Sequence, residues 1–483
     1  MPTPPRLFLL AVVLASFIPV ARGAPAARPP NLVVILLDNI GQEWFGSYGS
    51  EEKCTPQMDR LAAAGVRFEN CYTPVVCGPS RVQLLTGRYP FRTGWYLHHD
   101  AALYGGGGLD PKREITIARV LRDAGYRTGM AGKWQVNHLY QEPGVLRAHG
   151  FDESLVVPMS IDRDRADAAF MARYERAIAE NDDVHLLDAT RRIESRYADP
   201  VVMRDGGARE VRRGKFGPDV FQEFAIDFMT RHRDRPFFFY HAMVLAHGAN
   251  AATHAAALPG ETTAPKTPNE AFAAMVRYAD RQVGEFFAAL DRLGLRDNTI
   301  VVVATDNGSD ATLSGRRHGR VVKGGLYQMT ENGGNVVCFV NSPRLVPGGR
   351  TSALIDFSDI FPTLAAFAGA PRPRGVAIDG RSYAEYLRGR APLPREWIFN
   401  QYRPHRVVRD ARFKLWGDGR LFDLAADPGE ERPVPAGSSA AADAARARLA
   451  AALASLPQQD APLPFAHRSL SAFKQRREAA AKK

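Results

Sequence analysis

Unbroken apolar segments alternate with amphipathic segments along most of the chain. The run Leu32–Leu37 shows no alternation of apolar and polar positions, so both faces of this strand should be buried, as in a parallel sheet covered by helices. Similar buried strands are predicted at Tyr126–Ala131, Pro236–Ala246, Thr299–Ala304 and Val336–Val340. This order predicts an α/β fold built on a large, mostly parallel central sheet flanked by helices.

Capping signals mark the helices between these strands. Thr55-Pro56 and Thr267-Pro268 each place an N-capping side chain before a first-turn proline, and a glycine follows each point where the helical pattern stops. We therefore predict helices at 55–64, 116–124 and 267–293. The Arg- and Asp-rich stretch 160–215 has no clear periodicity, so it is interpreted as an insertion or a long surface loop.

The pattern changes near Asp379, where short predicted strands and an Ala-rich helix indicate a smaller α+β domain. These elements are expected at Trp397–Gln401, Arg406–Arg409, Phe413–Trp416 and Ala440–Leu456. The predicted division is a signal peptide at 1–23, a catalytic domain at 24–375, a small C-terminal domain at 376–465, and a basic, disordered tail at 466–483.

The first residues have the order of a secretory signal peptide. Arg6 precedes the apolar run Leu7–Val20, and small residues suited to a cleavage site follow. The run is shorter than the about 20 residues that a transmembrane helix needs, although an uncleaved anchor remains the alternative. The expected mature protein is exported, to the periplasm or the cell exterior, without stable membrane insertion.

Composition and net charge limit the classes of function that the chain could have. Hydrophobic residues make up 45% of the chain, which excludes wholesale disorder. The net charge of +11 suits an acidic substrate, an anionic membrane, nucleic acid, or simply a soluble surface. No nucleic-acid-binding motif is recognised, so no nucleic-acid partner is expected.

Four cysteines are too few for a disulfide scaffold. Their pairing stays open, and Cys54–Cys71 is one possible pair.

Two predicted strands are each followed by an aspartate and an asparagine. Asp38-Asn39 follows the first strand, and Asp306-Asn307-Gly308 follows the strand at 299–304. In parallel sheets the ligand crevice lies beyond the carboxyl ends of the strands, so the two pairs are candidates to converge there. Carboxylate and amide oxygens suit Ca²⁺ or Mg²⁺ rather than zinc. The alternative is that each sequence is an ordinary turn.

The segment Cys77–Arg81 is a candidate nucleophile site. Pro79 fits the first turn of a helix, which would place Cys77 at the positive end of that helix, where an anion gains stability. Arg81 would lie one turn onward and could bind an anionic oxygen. Taken alone, Cys77 fits a buried structural cysteine better than a nucleophile, because no sequence-adjacent base is visible to activate it.

The run from Cys77 to Gly87 resembles the formylglycine signature of type I sulfatases, Cys-x-Pro-Ser-Arg-x-x-Leu-Leu-Thr-Gly, in the alkaline-phosphatase-like superfamily. The resemblance extends over nearly the whole expected mature chain. It includes Asp38, Gly132-Lys133-Trp134, His247 after an aromatic strand, Asp306-Asn307-Gly308, Lys323-Gly324, Leu421–Leu424 and Asp427-Pro428.

The resemblance implies a role for each matching residue. A maturation enzyme would oxidise Cys77 to formylglycine, whose hydrated aldehyde would supply a metal-bound hydroxyl nucleophile. Ca²⁺ would be held by Asp38, Asn39, modified Cys77, Asp306 and Asn307. Arg81 would support the modified residue. Lys133 and Lys323 would bind sulfate oxygens, and His247 would protonate the leaving group or bind sulfate. The alternative is that Lys133 is a solvated loop lysine and that His247 has only a structural role.

Two residues depart from the family pattern. Asn39 stands where an aspartate is usual, which removes one negative charge from the metal site. Gln135 stands where relatives carry the histidine that takes a proton late in turnover, and glutamine is no base near neutral pH. Loop residues near the same face are candidate substrate contacts: Gln135 itself, His98, His99, Arg316, Arg317 and His318.

The sequence therefore predicts hydrolysis of sulfate esters on a sulfated small molecule or polysaccharide, most naturally a sulfated carbohydrate. Two alternatives remain at this stage. One is phosphodiester or phosphonate-ester hydrolysis on the same scaffold. The other, motivated by Asn39 and Gln135, is a catalytically impaired protein that binds sulfated glycans.

Overall fold

The computed structural model of the protein describes residues 28–101, 107–160, 195–248, 265–393 and 395–464, with a few isolated positions besides. The predicted signal peptide, apart from Met1, and the predicted basic tail lie outside the described residues. Among the helices that are described, none combines the length and apolar character needed to cross a membrane.

A ten-stranded sheet forms the centre of the protein, in the order β12-β2-β11-β8-β1-β7-β3-β4-β5-β6. Two smaller sheets accompany it, a hairpin of β9 and β10 and a four-stranded sheet of β13 to β16. The strands are β1 (Asn31–Leu37), β2 (Val66–Tyr72), β3 (Arg127–Lys133), β4 (Glu153–Val157), β5 (Val201–Arg204), β6 (Arg209–Val211), β7 (Phe237–Ala242), β8 (Thr299–Thr305), β9 (Ser314–Arg317), β10 (Arg320–Lys323), β11 (Asn335–Asn341), β12 (Gly349–Asp356), β13 (Ile398–Tyr402), β14 (His405–Arg409), β15 (Phe413–Trp416) and β16 (Leu421–Asp423).

The central strands run parallel, as the apolar pattern predicted. β1 pairs in parallel with β7 on one side and with β8 on the other, and β3 continues the parallel run to β4. β11 is an exception, because it lies antiparallel between β8 and β2. The predicted α/β class with a large, mostly parallel sheet is confirmed.

Helices cover both faces of this sheet. Those of seven residues or more are α1 (Pro56–Ala63), α2 (Cys77–Thr86), α3 (Ile117–Asp123), α4 (Gly217–Arg231), α5 (Pro268–Arg292), α6 (Ile360–Ala368) and α7 (Ala440–Ala454). Alternate residues of β1 enter two different cores: Val33 and Ile35 pack with α4 and α5, whereas Leu32 and Val34 pack with α2, α3 and α6. The prediction that both faces of β1 are buried is therefore confirmed.

The predicted C-terminal strands form the antiparallel sheet β13-β14-β15-β16. α7 packs on this sheet, and Leu449 of the helix shares a core with Phe399 and Val408 of the strands. The same core includes Tyr89 and Phe91 from the segment that follows α2, so the small sheet rests against the large part of the protein. The boundary at residue 375 stays a prediction.

Two expectations about local structure were wrong. The stretch 160–215 is not only a loop, since β5 pairs antiparallel to β4 and β6 pairs antiparallel to β5, so that both extend the central sheet. Residues 161–194 are for the most part outside the described residues. The strand predicted at 236–246 ends at Ala242, because the backbone leaves the sheet where it approaches Asp38. All four cysteines are buried free thiols, so the possible Cys54–Cys71 pair is not formed.

Candidate active site

Two carboxylates meet at the ends of neighbouring parallel strands. Leu37 of β1 is in register with Thr305 of β8, so Asp38 and Asp306 follow their strands side by side. The backbone NH of Asp306 donates to the carbonyl of Leu37 (3.0 Å), and the backbone NH of Asn39 donates to Oδ1 of Asp306 (3.0 Å). Both aspartates are fully buried. The structure thus brings together the two strand ends that the sequence paired.

Two cationic side chains form ion pairs with these carboxylates. Arg81 of α2 donates from Nη2 to Oδ2 of Asp306 (2.8 Å) and from Nη1 to the carbonyl of Lys133 (3.0 Å). Lys133, the last residue of β3, donates from Nζ to Oδ2 of Asp38 (2.6 Å). No member of the cluster is more than 1% exposed. Because burying four charges is costly for the fold, such a cluster is typical of a functional site.

The two carboxylates differ in how easily they ionise. Burial acts to raise the pKa of Asp38, but Lys133, His247 and Arg81 together hold it well below its ordinary value. Burial, and then the charge of Asp38, raise the pKa of Asp306 to about 6 despite Arg81. The cluster is therefore short of positive charge beside Asp306, and a bound cation would supply it.

Amide oxygens complete a set of hard ligands around the two aspartates. Oδ1 of Asn39 accepts a hydrogen bond from Nδ2 of Asn307 (2.6 Å). Oδ1 of Asn307 is buried and has no hydrogen-bond partner among the described residues. An unpaired buried oxygen costs free energy unless a ligand satisfies it. Two carboxylates and two amide oxygens fit Ca²⁺, which prefers oxygen ligands.

Cys77 begins α2 and faces this oxygen set. Its Sγ lies 3.3 Å from Oδ1 of Asn39 and 3.5 Å from Oδ1 of Asp38. Ser80 Oγ donates to the carbonyl of Val76 (2.9 Å), which fixes the chain just before the cysteine. Burial and the charge of Asp306 raise the pKa of the Cys77 thiol well above its ordinary value. The unmodified thiol is therefore protonated at neutral pH and is a poor nucleophile.

His247 approaches the cluster from the segment after β7. One ligand atom from each of Asp38, Cys77 and His247 lies within 4.8 Å of the others. Nδ1 of His247 lies 3.3 Å from Nη1 of Arg196, and the Tyr197 hydroxyl donates to the His247 carbonyl (2.6 Å).

The imidazole of His247 is neutral in this environment. Burial, then the positive charges of Lys133 and Arg196, lower the pKa of His247 well below its ordinary value, although Asp38 opposes them. An anionic substrate would add negative charge beside the ring and favour protonation. Sequence reasoning missed Arg196 and Tyr197, because the stretch that contains them carries no periodicity and no motif.

Gln135 follows Lys133 by two residues and turns into the same region. Its φ of 72° lies in the left-handed region, and the side chain is buried. Nε2 lies 3.5 Å from Oδ2 of Asp100, and Oε1 is buried without a hydrogen-bond partner among the residues described. The amide oxygen is therefore available to a hydroxyl or amine donor of a substrate.

His98 and His99 belong to the segment that precedes Asp100. The ring of His98 packs edge-on against Tyr327 (5.9 Å between centroids), and the ring of His99 packs against Trp95 (6.2 Å). His99 is buried, whereas His98 is half-buried. The charge of His98 acts on His247, which places His98 on the same side of the site. Its role in substrate binding stays a prediction.

The remaining predicted residues lie on the hairpin of β9 and β10. Lys323 ends β10 and is exposed; within the described part of the chain its ammonium has no hydrogen bond or ion pair. Arg317 and His318 lie at the opposite end of the hairpin, where Nε of Arg317 donates to the Tyr48 carbonyl (2.8 Å). They line a cavity with Arg67. The substrate roles of all three stay predictions.

Comparisons with known proteins match this geometry to one family. A family model described as Sulfatase matches residues 30–370. Arylsulfatase A of Homo sapiens is 34% identical over 448 residues, which cover 88% of this chain and 81% of the relative. N-acetylgalactosamine-6-O-sulfatase of Bacteroides thetaiotaomicron is 27% identical, over 84% of this chain and 90% of the relative.

The fold agrees with solved structures. The crystal structure of Ps i-CgsB in complex with k-i-k-neocarrahexaose superposes with a TM-score of 0.73 at 24% identity, over 94% of this chain and 98% of that one. The two relatives are sulfatases by name, and the family model spans the strand ends, the α2 cysteine and the buried cations described above. The chain belongs to the sulfatase family and is a sulfuric ester hydrolase.

Proposed function

We propose that the protein hydrolyses sulfate esters on a sulfated carbohydrate, with formylglycine made from Cys77 as nucleophile and Ca²⁺ as the metal. The observation that carries this proposal is the position of Cys77 at the start of α2, within 3.5 Å of oxygens from Asp38 and Asn39. A protonated thiol is a soft group and a poor ligand for Ca²⁺, so the unmodified cysteine does not suit a site made of hard oxygen ligands. Its oxidation to an aldehyde would turn it into an oxygen ligand that suits the site.

The residues that would hold Ca²⁺ are Asp38, Asn39, Asp306, Asn307 and the modified residue 77. The unpaired Oδ1 of Asn307 supports this assignment, as does the raised pKa of Asp306. When bound, the metal and the modified residue would supply a hydroxyl nucleophile held at the sulfur atom. Asn39 leaves the set one carboxylate short, so we expect weaker Ca²⁺ binding than an aspartate would give.

The other buried side chains bind and orient the sulfate. Lys133 and Arg81 hold positive charge where the sulfate oxygens would gain it, and their ion pairs fix them there before substrate arrives. Lys323 would add a second ammonium from the exposed hairpin. His247 would donate its proton to the leaving oxygen once the anion has raised its pKa.

A carbohydrate substrate is supported by polar and aromatic side chains near the buried cluster. The ring of His98 packs against Tyr327, which is 48% exposed, and the charge of His98 acts on His247. Gln135 lies two residues after Lys133. Aromatic faces and amide groups are suited to sugar rings and hydroxyls. The net charge of +11 favours a polyanionic substrate.

The alternatives have less support. A phosphodiesterase on this scaffold would need no formylglycine signature, and a glycan-binding protein would have no reason to retain the buried ion pairs of Lys133 and Arg81. The expected partners are a sulfated glycan and a formylglycine-generating maturation enzyme. The apolar run at Leu7–Val20 supports export to the periplasm or the cell exterior.

Paired substrates test the proposal. Protein from a host that matures sulfatases is assayed for kcat/KM on an aryl sulfate, the matching aryl phosphate, and sulfated mono- and disaccharides. We expect the sulfated sugars to be the best substrates and the aryl phosphate to be far poorer than the aryl sulfate. A preference for the phosphate ester would disprove the proposal.

A further inference from the structure

A basic cavity of about 570 Å³ lies at the tip of the β9–β10 hairpin. Its walls carry three arginines from three different strands, Arg67 of β2, Arg317 of β9 and Arg350 of β12, together with His318 from the hairpin turn. The amide side chains of Asn70 and Asn335 also line it. We refer to this cavity as the Arg67 pocket.

Positive charge in the Arg67 pocket is not balanced by the residues that line it. Glu69 is the one acid among the described lining residues, and its Oε1 lies 3.6 Å from Nη2 of Arg67 and 3.6 Å from Nη1 of Arg350. Both distances exceed a good hydrogen bond. Nε of Arg67 is buried and has no hydrogen-bond partner among the described residues. A buried donor without an acceptor marks the place where a ligand oxygen would be favourable.

Two of the guanidinium groups are held in position by Tyr48. Nε of Arg317 donates to the Tyr48 carbonyl (2.8 Å), and the Arg67 guanidinium lies 5.3 Å from the centre of the Tyr48 ring. Burial lowers the pKa of Arg317; the charges of Glu43 and Glu331 oppose this change, and the charge of Arg67 adds to it. Two cations that share one pocket repel each other. An anion between them would relieve this repulsion.

The acid behind Arg317 offsets its charge only in part. Glu43 is buried next to the hairpin, and burial raises the pKa of Glu43 to about 7 despite Ser309 and Arg317. At neutral pH a large fraction of Glu43 is therefore protonated. The charge of Glu331 also acts on Arg317, but Glu331 is ion-paired with Arg409 (3.1 Å). Glu51 and Glu52 bind Arg316 and the turn backbone, and the charges of Glu51 and His318 attract each other.

We propose that the Arg67 pocket is a second anion site, which binds a tetrahedral oxyanion, a sulfate or phosphate group, apart from the reacting sulfate. Preorganised guanidinium groups bind such anions through paired N–H donors. The pocket lies at the opposite end of the hairpin from Lys323, about 10 Å away for a four-residue strand at about 3.4 Å per residue. The anion has two possible sources, free sulfate or phosphate and a sulfate group carried by a glycan chain.

Equilibrium dialysis of the full protein with radiolabelled inorganic sulfate, at ionic strength fixed with chloride, tests the site. The pocket variants are Arg350→Gln, whose side chain is 74% exposed, and the double variant Arg67→Gln/Arg350→Gln. Arg390→Gln is a matched control, since Arg390 is 68% exposed and lies 3.7 Å from Glu385. Lys133→Ala weakens sulfate binding at the active site and so separates the two sites. A chondroitin sulfate tetrasaccharide and its desulfated form serve as glycan probes.

We expect Lys133→Ala to retain one sulfate, and the double variant to weaken that binding by about tenfold or more, because it removes two charged hydrogen-bond donors. Arg390→Gln should bind like the unaltered protein. If the tetrasaccharide binds more tightly than inorganic sulfate, the natural ligand is a sulfate group of a glycan. If the two bind equally, the natural ligand is a free anion. Both results support the proposed site. Unchanged sulfate binding in both Arg350→Gln and the double variant overturns it, as does equal binding of the desulfated tetrasaccharide. The result does not depend on turnover, so a failure here leaves the proposed hydrolysis untouched.

Discussion

Lys133 donates a hydrogen bond of 2.6 Å to Asp38, and neither side chain is exposed to solvent. The lysine ends β3 and the aspartate follows β1, with β7 between the two strands. This contact therefore joins two strand ends that are not neighbours in the sheet. Its existence depends on the fold as a whole, and it links the charge state of an oxygen that is proposed to bind the metal to the residue that is proposed to bind sulfate.

Lys133→Met should cost both stability and activity. Removing one partner of a buried ion pair leaves an unpaired charge, which typically costs about 3–5 kcal/mol. Loss of a donor that stabilises transition-state charge typically lowers kcat by about 10²–10³-fold. Lys414→Met is a matched control, because Lys414 is equally buried and pairs with Glu430 at 2.9 Å in the C-terminal part. Urea unfolding and kcat of both variants should show a similar loss of stability, with lost activity in Lys133→Met alone.

The modification of Cys77 is open to direct measurement. In a host that matures sulfatases, the tryptic peptide with Cys77 should be about 18 Da lighter than its thiol form, as conversion of thiol to aldehyde requires. Protein made without maturation should be inactive, because burial holds the Cys77 thiol protonated. Cys77→Ala provides the control for peptide assignment. An active preparation in which every Cys77 is an unmodified cysteine would contradict the mechanism.

Removal of Ca²⁺ should lower activity and thermal stability together. A ligand at 100 times its Kd adds about 2.7 kcal/mol to the stability of the folded state, so a chelator should lower Tm and added Ca²⁺ should restore it. Asp306→Asn should weaken this response to Ca²⁺. Asp280→Asn alters another buried carboxylate, one that accepts backbone NH groups of Gln57 and Met58, and should leave the response intact. Restoration by zinc alone would mean that the ligand assignment is wrong.

Most of the site could be predicted because its residues follow regular elements. Asp38 and Asp306 end apolar strands, and parallel neighbours must bring such ends together. Pro79 indicated the first turn of the helix that begins at Cys77. The antiparallel direction of β11 could not be predicted, since an apolar run has the same pattern in either direction.

Contacts that depend on irregular backbone were not predictable. Arg196 and Tyr197 reach His247 from a stretch without periodicity, and the sequence contains no motif that marks them. The same is true of the Arg67 pocket, whose arginines come from β2, β9 and β12 and meet only once the sheet and the hairpin are assembled. The structure places Arg317 beside Arg67, and its predicted contact with substrate stays a prediction.

The pH dependence of catalysis should respond to Arg196. Arg196 and Lys133 both lower the pKa of His247, after burial, so Arg196→Gln should raise it. If protonated His247 is the acid, kcat/KM falls as pH rises through the pKa of His247, and a higher pKa moves this limb to higher pH. Arg204→Gln, an exposed arginine of β5, should leave the limb in place. A limb that does not move in Arg196→Gln, or that persists in His247→Gln, would exclude His247 as that acid.

Gln135 combines a buried position beside the cluster with a side chain that is not basic. It is buried two residues after Lys133, and its amide oxygen has no partner among the described residues. Its side chain has no group that takes up a proton near neutral pH. Oδ2 of Asp100 lies 3.5 Å from the amide nitrogen of Gln135.

We expect the step that releases sulfate from the enzyme to be slow, because the base that the resemblance places at residue 135 is missing. A burst of one leaving group per site should then precede a slow steady state in stopped-flow assays with an aryl sulfate. Gln135→His should speed the slow phase by up to about 10²–10⁴-fold, the usual contribution of a general base, and leave the burst rate nearly unchanged. Histidine tolerates the left-handed backbone at this position better than most residues. Gln135→Asn is the control, since it keeps an amide and adds no base. If Gln135→His is slower in both phases, the amide binds substrate, and its unpaired oxygen is a contact to the sugar rather than a missing base.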